Sequence, residues 1–220
     1  MGDARLFVPQ IAAFSAGRSV GVPTLALDDS IEGMAERVLA DAPPSFALLG
    51  LSLGGIVAME VARRAPERVA RLALLDTNHL PEPPDVAEVR AGYVARARAG
   101  DLAGVMRDDL KPRYLADGPR KAGTLDLCMA MALDLGPDVF ARQSRAISTR
   151  PDQSATLPGL TMPTLVLCGA EDSLCPPERH RTIAGLIPDA RLVMVEGAGH
   201  LPVLERPGET NAAIAAWLGG

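Results

Sequence analysis

The chain has 220 residues, 48% hydrophobic and 22% charged, with a net charge of −5 at pH 7. That length supports one domain with a substantial core, and the acidic balance excludes the basic footprint that nucleic-acid phosphates require. Aromatic residues, at 3%, leave little for base stacking.

Cys128, Cys168 and Cys175 form no CxxC pair, so they read as free thiols in a reducing compartment and not as a zinc site or disulfide framework. No run of about 18 apolar residues occurs to span a membrane. The opening stretch lacks the basic start of a signal peptide, and its apolar residues recur at helical spacing. The expectation is a soluble cytoplasmic protein with neither membrane nor nucleic-acid partners.

In chain order, Leu6, Phe7, Ile11, Ala12 and Phe14 line one face of a helix over residues 4–16, with Gly17 as its stop. Residues 19–24 are β-branched enough to read as a strand, ending near Pro23. Asp29 or Ser30 caps a helix whose apolar face is Ile31, Met34, Val38 and Leu39, and Pro43-Pro44 ends it. Residues 46–49 form a short, wholly apolar run of the kind buried on both faces of a parallel sheet. A Gly-rich turn leads from there into a helix over 56–64, and 71–75 form the next strand. This β-turn-α-β order implies a right-handed crossover and an α/β sheet.

Between residues 81 and 150 strand signals vanish, and Tyr93, Val105, Met106, Leu110, Leu125, Cys128, Met129 and Leu133 are spaced for one-sided helical burial. This stretch reads as a helical cap inserted into a single α/β domain made of residues 1–80 and 151–220. The βα pattern then resumes with a strand at 163–168, a helix at 176–186, a strand at 191–195 and a closing helix at 207–218 that carries Trp217.

Gly50-Leu51-Ser52-Leu53-Gly54 is a G-x-S-x-G sequence, which matters mechanically only where it joins a strand to a helix, as here. Gly50 and Gly54 are expected to flank Ser52 because a sharp, strained turn leaves no room beside it. Ser52 then projects above the sheet at a helix N-terminus, where the Leu53 backbone N–H faces a developing oxyanion. The bland alternative is a Gly/Ser turn that merely caps a helix. Serine needs a base, and the chain holds only His79, His180 and His200. His200 sits in a Gly-rich loop after the last strand and is the expected base. His79, after strand 71–75, is its alternative, while His180, between Arg179 and Arg181, reads as solvated surface. For the acid, Asp172 follows strand 163–168, with Glu171 one residue away. Asp76, at the end of strand 71–75, is the rival, and each carboxylate can also be read as a turn cap.

The stretches 46–77, 162–177 and 193–207 together resemble the α/β-hydrolase superfamily, and within it the small bacterial carboxylesterase-type hydrolases near pimeloyl-carrier-protein methyl ester esterases. The resemblance implies an α/β-hydrolase fold and triad roles for Ser52, Asp172 and His200. It also implies hydrolysis of small carboxylic esters or thioesters with water as acyl acceptor, and no cofactor or metal. Thioesterase, lactonase, acyltransferase and carbon–carbon hydrolase activities share that triad, and a non-catalytic ligand-binding member of the fold is the other class. Arg90, Arg96, Arg98, Arg107 and Arg113 fit either an acidic acyl group or an ordinary solvated face. One departure is large. The family carries a strand and a His-Gly or Pro-Gly turn before the first helix, which supply the second oxyanion donor. This sequence opens at Met1 where that turn ends, with Gly2 and Asp3 as its remnant. The second donor is therefore expected near or upstream of Met1, and the native start further upstream. The strand itself would lie between 19–24 and 46–49.

Overall fold

The apolar runs become four parallel strands in the computed structural model, which describes residues 1–219. They are β1 (Phe46–Leu51), β2 (Val69–Leu75), β3 (Thr164–Gly169) and β4 (Arg191–Val195), and they lie side by side in sequence order. Around them, α1 (Val8–Phe14) and α2 (Ile31–Asp41) precede the sheet, and α3 (Leu53–Arg64) joins β1 to β2. Then α4 (Pro84–Arg96), the single turn α5 (Leu102–Gly104) and the long α6 (Lys121–Ser148) intervene before β3. The helix α7 (Pro177–Leu186) joins β3 to β4, and α8 (Pro202–Glu205) and α9 (Pro207–Leu218) close the chain.

Alternation along each strand divides the core. Leu72, Leu74 and Val166 face one way and pack with Met34 of α2, Met59 of α3 and Ile183 of α7. Ala73, Leu75, Leu165 and Leu167 face the other and pack with Ile214 and Trp217 of α9. Both faces are covered, which is why these strands read as continuous apolar runs. A third cluster, with Ala97, Val105, Met106, Ala132 and Phe140, lies within the helical stretch between β2 and β3. There α6 breaks at Gly136 (φ 78°), just before Pro137, which has no N–H to continue the ladder.

Parallel pairing aligns the C-terminal ends of the strands: Leu51 lies opposite Leu75, Leu75 opposite Leu167, and Gly169 opposite Val195. The loops that begin at Ser52, Asp76, Ala170 and Glu196 therefore leave the sheet along one edge, the edge at which open α/β sheets bind ligands.

One expected element is absent. Residues 19–24 are exposed and irregular, and β1 is the edge of the sheet among the described residues. β-Branched residues make a strand only when a neighbour takes their backbone hydrogen bonds. Among the described residues none does so around Val20 and Val22, and Gly21 and Pro23 weaken the tendency further. Also among the described residues, no helix is long and apolar enough to cross a membrane.

Leu167 is fully buried at the centre of the sheet. Leu167→Ala is expected to cost about 2–5 kcal/mol, seen as a lower urea midpoint at unchanged slope.

Candidate active site

Ser52 falls between the last residue of β1 and the first of α3, at φ 54° and ψ −117°. A non-glycine residue holds such a conformation only where its surroundings over-determine it. Here the Ser52 N–H donates to Leu75 O (2.9 Å), and the Thr77 hydroxyl donates to Ser52 O (2.7 Å). A Cβ on Gly50 would overlap the backbone of Gly54 and Gly55, so that glycine is obligatory. Gly54 departs from expectation: a Cβ there meets nothing within 4 Å, so crowding does not explain it. Leu53 is the first residue of α3, so its N–H is one of the helix's unsatisfied donors.

The acid loop leaves β3 through Gly169. Ala170 N–H donates to Val195 O, and Glu171 N–H donates to Ala198 O, lashing this loop to the one that follows β4. Asp172 is 3% exposed. Its Oδ1 accepts from the N–H groups of Leu174 (2.8 Å) and Cys175 (3.0 Å), and its Oδ2 lies 2.8 Å from His200 Nδ1. Burial by itself would raise this carboxyl. The His200 ring and the two N–H donors outweigh burial and hold it below the usual carboxylate range. The other His200 nitrogen, Nε2, lies 2.9 Å from Ser52 Oγ. Three residues distant in sequence thus form one hydrogen-bonded line from hydroxyl to imidazole to carboxylate.

Two further histidines and the rival acid lie elsewhere. His180 is not solvated surface but fully buried. Its Nε2 accepts the Thr77 N–H (2.9 Å), and its Nδ1 lies 3.3 Å from Pro176 O, which fixes a neutral ring with the proton on Nδ1. Burial depresses its pKa to about 4. Because Thr77 in turn bonds Ser52 O, His180 braces the serine turn from behind. His79 is also buried, its Nδ1 unpartnered and its pKa lowered by desolvation. No hydrogen bond joins it to Ser52 among the described residues. Asp76 lies beneath Asp172 and not against His200: its Oδ1 accepts the Gly169 N–H (2.9 Å).

Sequence reading missed Glu205. Its buried carboxylate accepts the N–H groups of Gly199, Leu201 and Ala116 at 2.8–3.0 Å, even though burial pushes its pKa up. Together with the His200 N–H bond to Tyr114 O (2.7 Å), this fixes the histidine loop against residues 114–116. The available signal was the chain itself: a carboxylate following the apolar Leu201–Leu204 run, where only a buried partner set explains it.

Ligand-type atoms of Asp172, Cys175 and His200 lie within 4.8 Å of one another, as do those of Asp76, Cys168 and Asp172. Burial pushes both thiols up, so they keep their protons instead of offering thiolates, and Asp172 is already engaged. These groups fit a hydrogen-bonded network better than a cation site. Of the arginines between β2 and β3, Arg90 pairs with the buried Glu82, Arg96 with Asp101 and Asp109, and Arg107 with Asp108. Arg98 and Arg113 are exposed, as a solvated face requires.

A parallel sheet, a strained serine turn and this line of polar groups describe a known class. The chain belongs to the alpha/beta hydrolase fold family, whose pattern matches residues 23–207, and it is a hydrolase of that fold. Among its relatives is the pimeloyl-[acyl-carrier protein] methyl ester esterase of Aromatoleum aromaticum, 28% identical over 90% of this chain and 87% of the relative. A thermophilic esterase from Thermogutta terrifontis superposes with a TM-score of 0.89 at 28% identity, covering 99% of this chain and 85% of that one. The enol-lactonase from Burkholderia xenovorans LB400 gives 0.85 at 25% identity, over 100% and 88%.

Two predictions follow from the turn and its brace. Gly50→Ala is expected to abolish soluble folded protein, whereas Gly54→Ala folds with an unchanged circular dichroism spectrum; equal behaviour of the two would refute the steric assignment. The second concerns His180, whose folded pKa lies below its unfolded one, so the unfolded chain binds the extra proton. Its contribution is intact above pH 6.5 and is lost as pH falls towards 4, by about 3 kcal/mol in all. Urea unfolding across that window is expected to show this slope, and His180→Asn to flatten it.

Proposed function

We propose that the chain is a serine hydrolase that cleaves small carboxylic esters through an acyl-enzyme on Ser52, with His200 as base and Asp172 as the acid that orients it. The observation that carries this reading is the pair of hydrogen bonds joining Ser52 Oγ to His200 Nε2 (2.9 Å) and His200 Nδ1 to Asp172 Oδ2 (2.8 Å). As Ser52 Oγ attacks the ester carbonyl, His200 Nε2 takes its proton, and the Asp172 carboxylate stabilises the resulting imidazolium. The tetrahedral oxyanion is met by the Leu53 N–H, reinforced by the N-terminal dipole of α3. Collapse expels the alcohol, which receives the proton from His200. Water then attacks the acyl-enzyme with His200 again as base, releasing the acid and free Ser52.

In this reading residues 81–150 form a cap over the strand ends, and the acyl acceptor is water. Esterase relatives support a small ester as substrate. The similarity to a protein described as an enol-lactonase favours one second reading, a lactone, which is an ester closed on itself and needs no change in the triad.

The test is a panel of p-nitrophenyl esters of varied acyl length, run alongside fluorophosphonate labelling. Ser52→Ala is expected to lower kcat/KM by roughly 10⁴–10⁶-fold and to abolish labelling. Asp172→Asn is expected to cost about 10⁴-fold in kcat. Equal rates for the wild type and Ser52→Ala would sink the assignment, and folded protein that takes no label would favour a binding role.

A further inference from the structure

Asp76 has no place in the three-residue line, yet it lies directly beneath it. It is fully buried, with φ at 43°, and its N–H continues the sheet by donating to Leu167 O (3.0 Å). Its Oδ1 accepts the Gly169 N–H, while its Oδ2 is sealed from solvent and meets no donor among the described residues. A buried carboxylate oxygen left in that state is costly, whereas the same oxygen carrying a proton needs only an acceptor.

An acceptor is at hand. One carboxyl oxygen each of Asp76 and Asp172 forms, with the Cys168 sulfur, a cluster whose three atoms all lie within 4.8 Å of one another. An ionised carboxylate offers about four lone-pair positions. On Asp172 three are taken, by Leu174 N–H, Cys175 N–H and His200 Nδ1. One remains for a further donor.

Two adjacent buried carboxyls do not both ionise unless a cation separates them. Among the described residues, Cys168 from β3 and Asp172 from the acid loop lie against Asp76, Cys175 and Glu205 act on it from further off, and none of these is a cation. His180, which takes the N–H of the adjacent Thr77, is neutral at pH 7. His200 and two backbone N–H groups select Asp172 as the charged member. Burial first, and then the Asp172 charge, push the Asp76 carboxyl well above its ordinary range.

We propose that Asp76 is a positioning residue, a neutral carboxylic acid whose O–H donates to the Asp172 carboxylate from the sheet side and holds its plane towards His200. The inference rests on the reading of Asp172 as the acid of the triad. The O–H also lowers the basicity of Asp172, so that the imidazolium formed during attack keeps its proton on Nδ1 instead of passing it on.

Infrared difference spectroscopy of the full chain, wild type against Asp76→Asn, tests the protonation state directly. The expected result is a carboxylic-acid C=O stretch at pH 7 that is present in the wild type and lost in the variant. Asparagine keeps both a donor for Asp172 and an acceptor for Gly169 N–H, so Asp76→Asn is expected to retain kcat on the ester panel within about threefold. Asp76→Ala loses both and is expected to drop kcat by about 10–100-fold with KM little changed. If Asp76→Ala does not fold, the infrared band and the kcat of Asp76→Asn decide alone. No band lost in Asp76→Asn, or a fall in its kcat as large as that of folded Asp76→Ala, overturns the proposal. A folded Asp76→Ala with wild-type kcat does the same. The parent reading fails separately, through an active Ser52→Ala, and the infrared result does not depend on it.

Discussion

The site depends on how closely two loops approach at the C-terminal edge of the sheet. Gly169 ends β3, and a Cβ there would overlap the carbonyl oxygens of Gly199 and Ala198, which belong to the loop that follows β4. Without a side chain at 169, the acid loop and the histidine loop lie backbone against backbone, joined by Glu171 N–H to Ala198 O and Ala170 N–H to Val195 O. This contact fixes the separation of Asp172 and His200. Any larger residue at 169 pushes the loops apart, and a hydrogen bond that must be made at 2.8 Å is lost over a displacement of about 1 Å. The serine comes to the same point by a different route, since β1 and β2 are in register with β3 and the strained turn projects Ser52 from the neighbouring strand end.

Around this contact lies a layer of buried polar groups that touches no substrate position in the proposed reaction. Thr77 and His180 hold the serine turn, Asp76 lies under the acid, and Glu205 gathers three N–H groups around the histidine. Each belongs to an element beyond the one it supports, so the three site residues are pinned from several directions. Buried polar groups earn stability poorly, but when satisfied they fix geometry, which suits a site needing precise placement. The exceptions are informative. Among the described residues, Asp76 Oδ2 and His79 Nδ1, both in the stretch that leaves β2, meet no conventional partner, and a proton shared with Asp172 is the partner proposed above for the first.

The legible part of the molecule was the part that chain-local chemistry dictates. A Gly-flanked serine between an apolar run and a helix, a carboxylate after a strand and a histidine in a glycine-rich loop each announce themselves within about ten residues. What connects them was not legible, because it depends on which elements become neighbours. His180 reads as surface when judged by Arg179 and Arg181. Judged at helical spacing it belongs with Ile183 and Ile187, and all three are buried. Residues 19–24 failed in the opposite direction: their composition suits a strand, but strand formation is a property of pairs, and the structure gives them no partner. Gly54 lies in the motif beside Gly50 yet meets no crowding, so the spacing of the motif alone did not reveal which glycine the turn requires.

The helical stretch between β2 and β3 enters the chemistry through the backbone before any question of substrate arises. Tyr114 O accepts the His200 N–H, and the Ala116 N–H donates to the same Glu205 carboxylate that holds Gly199 and Leu201. His200 is thus anchored partly to the sheet, through the loop that carries Asp172, and partly to the insertion, through residues 114–116. The insertion also touches the acid loop, where the Ser173 hydroxyl donates to Arg113 O (3.2 Å), so a displacement of residues 113–116 acts on both loops that flank the Asp172–His200 bond. On the proposed reading, the alignment of His200 is therefore coupled to how the insertion is seated against these two loops.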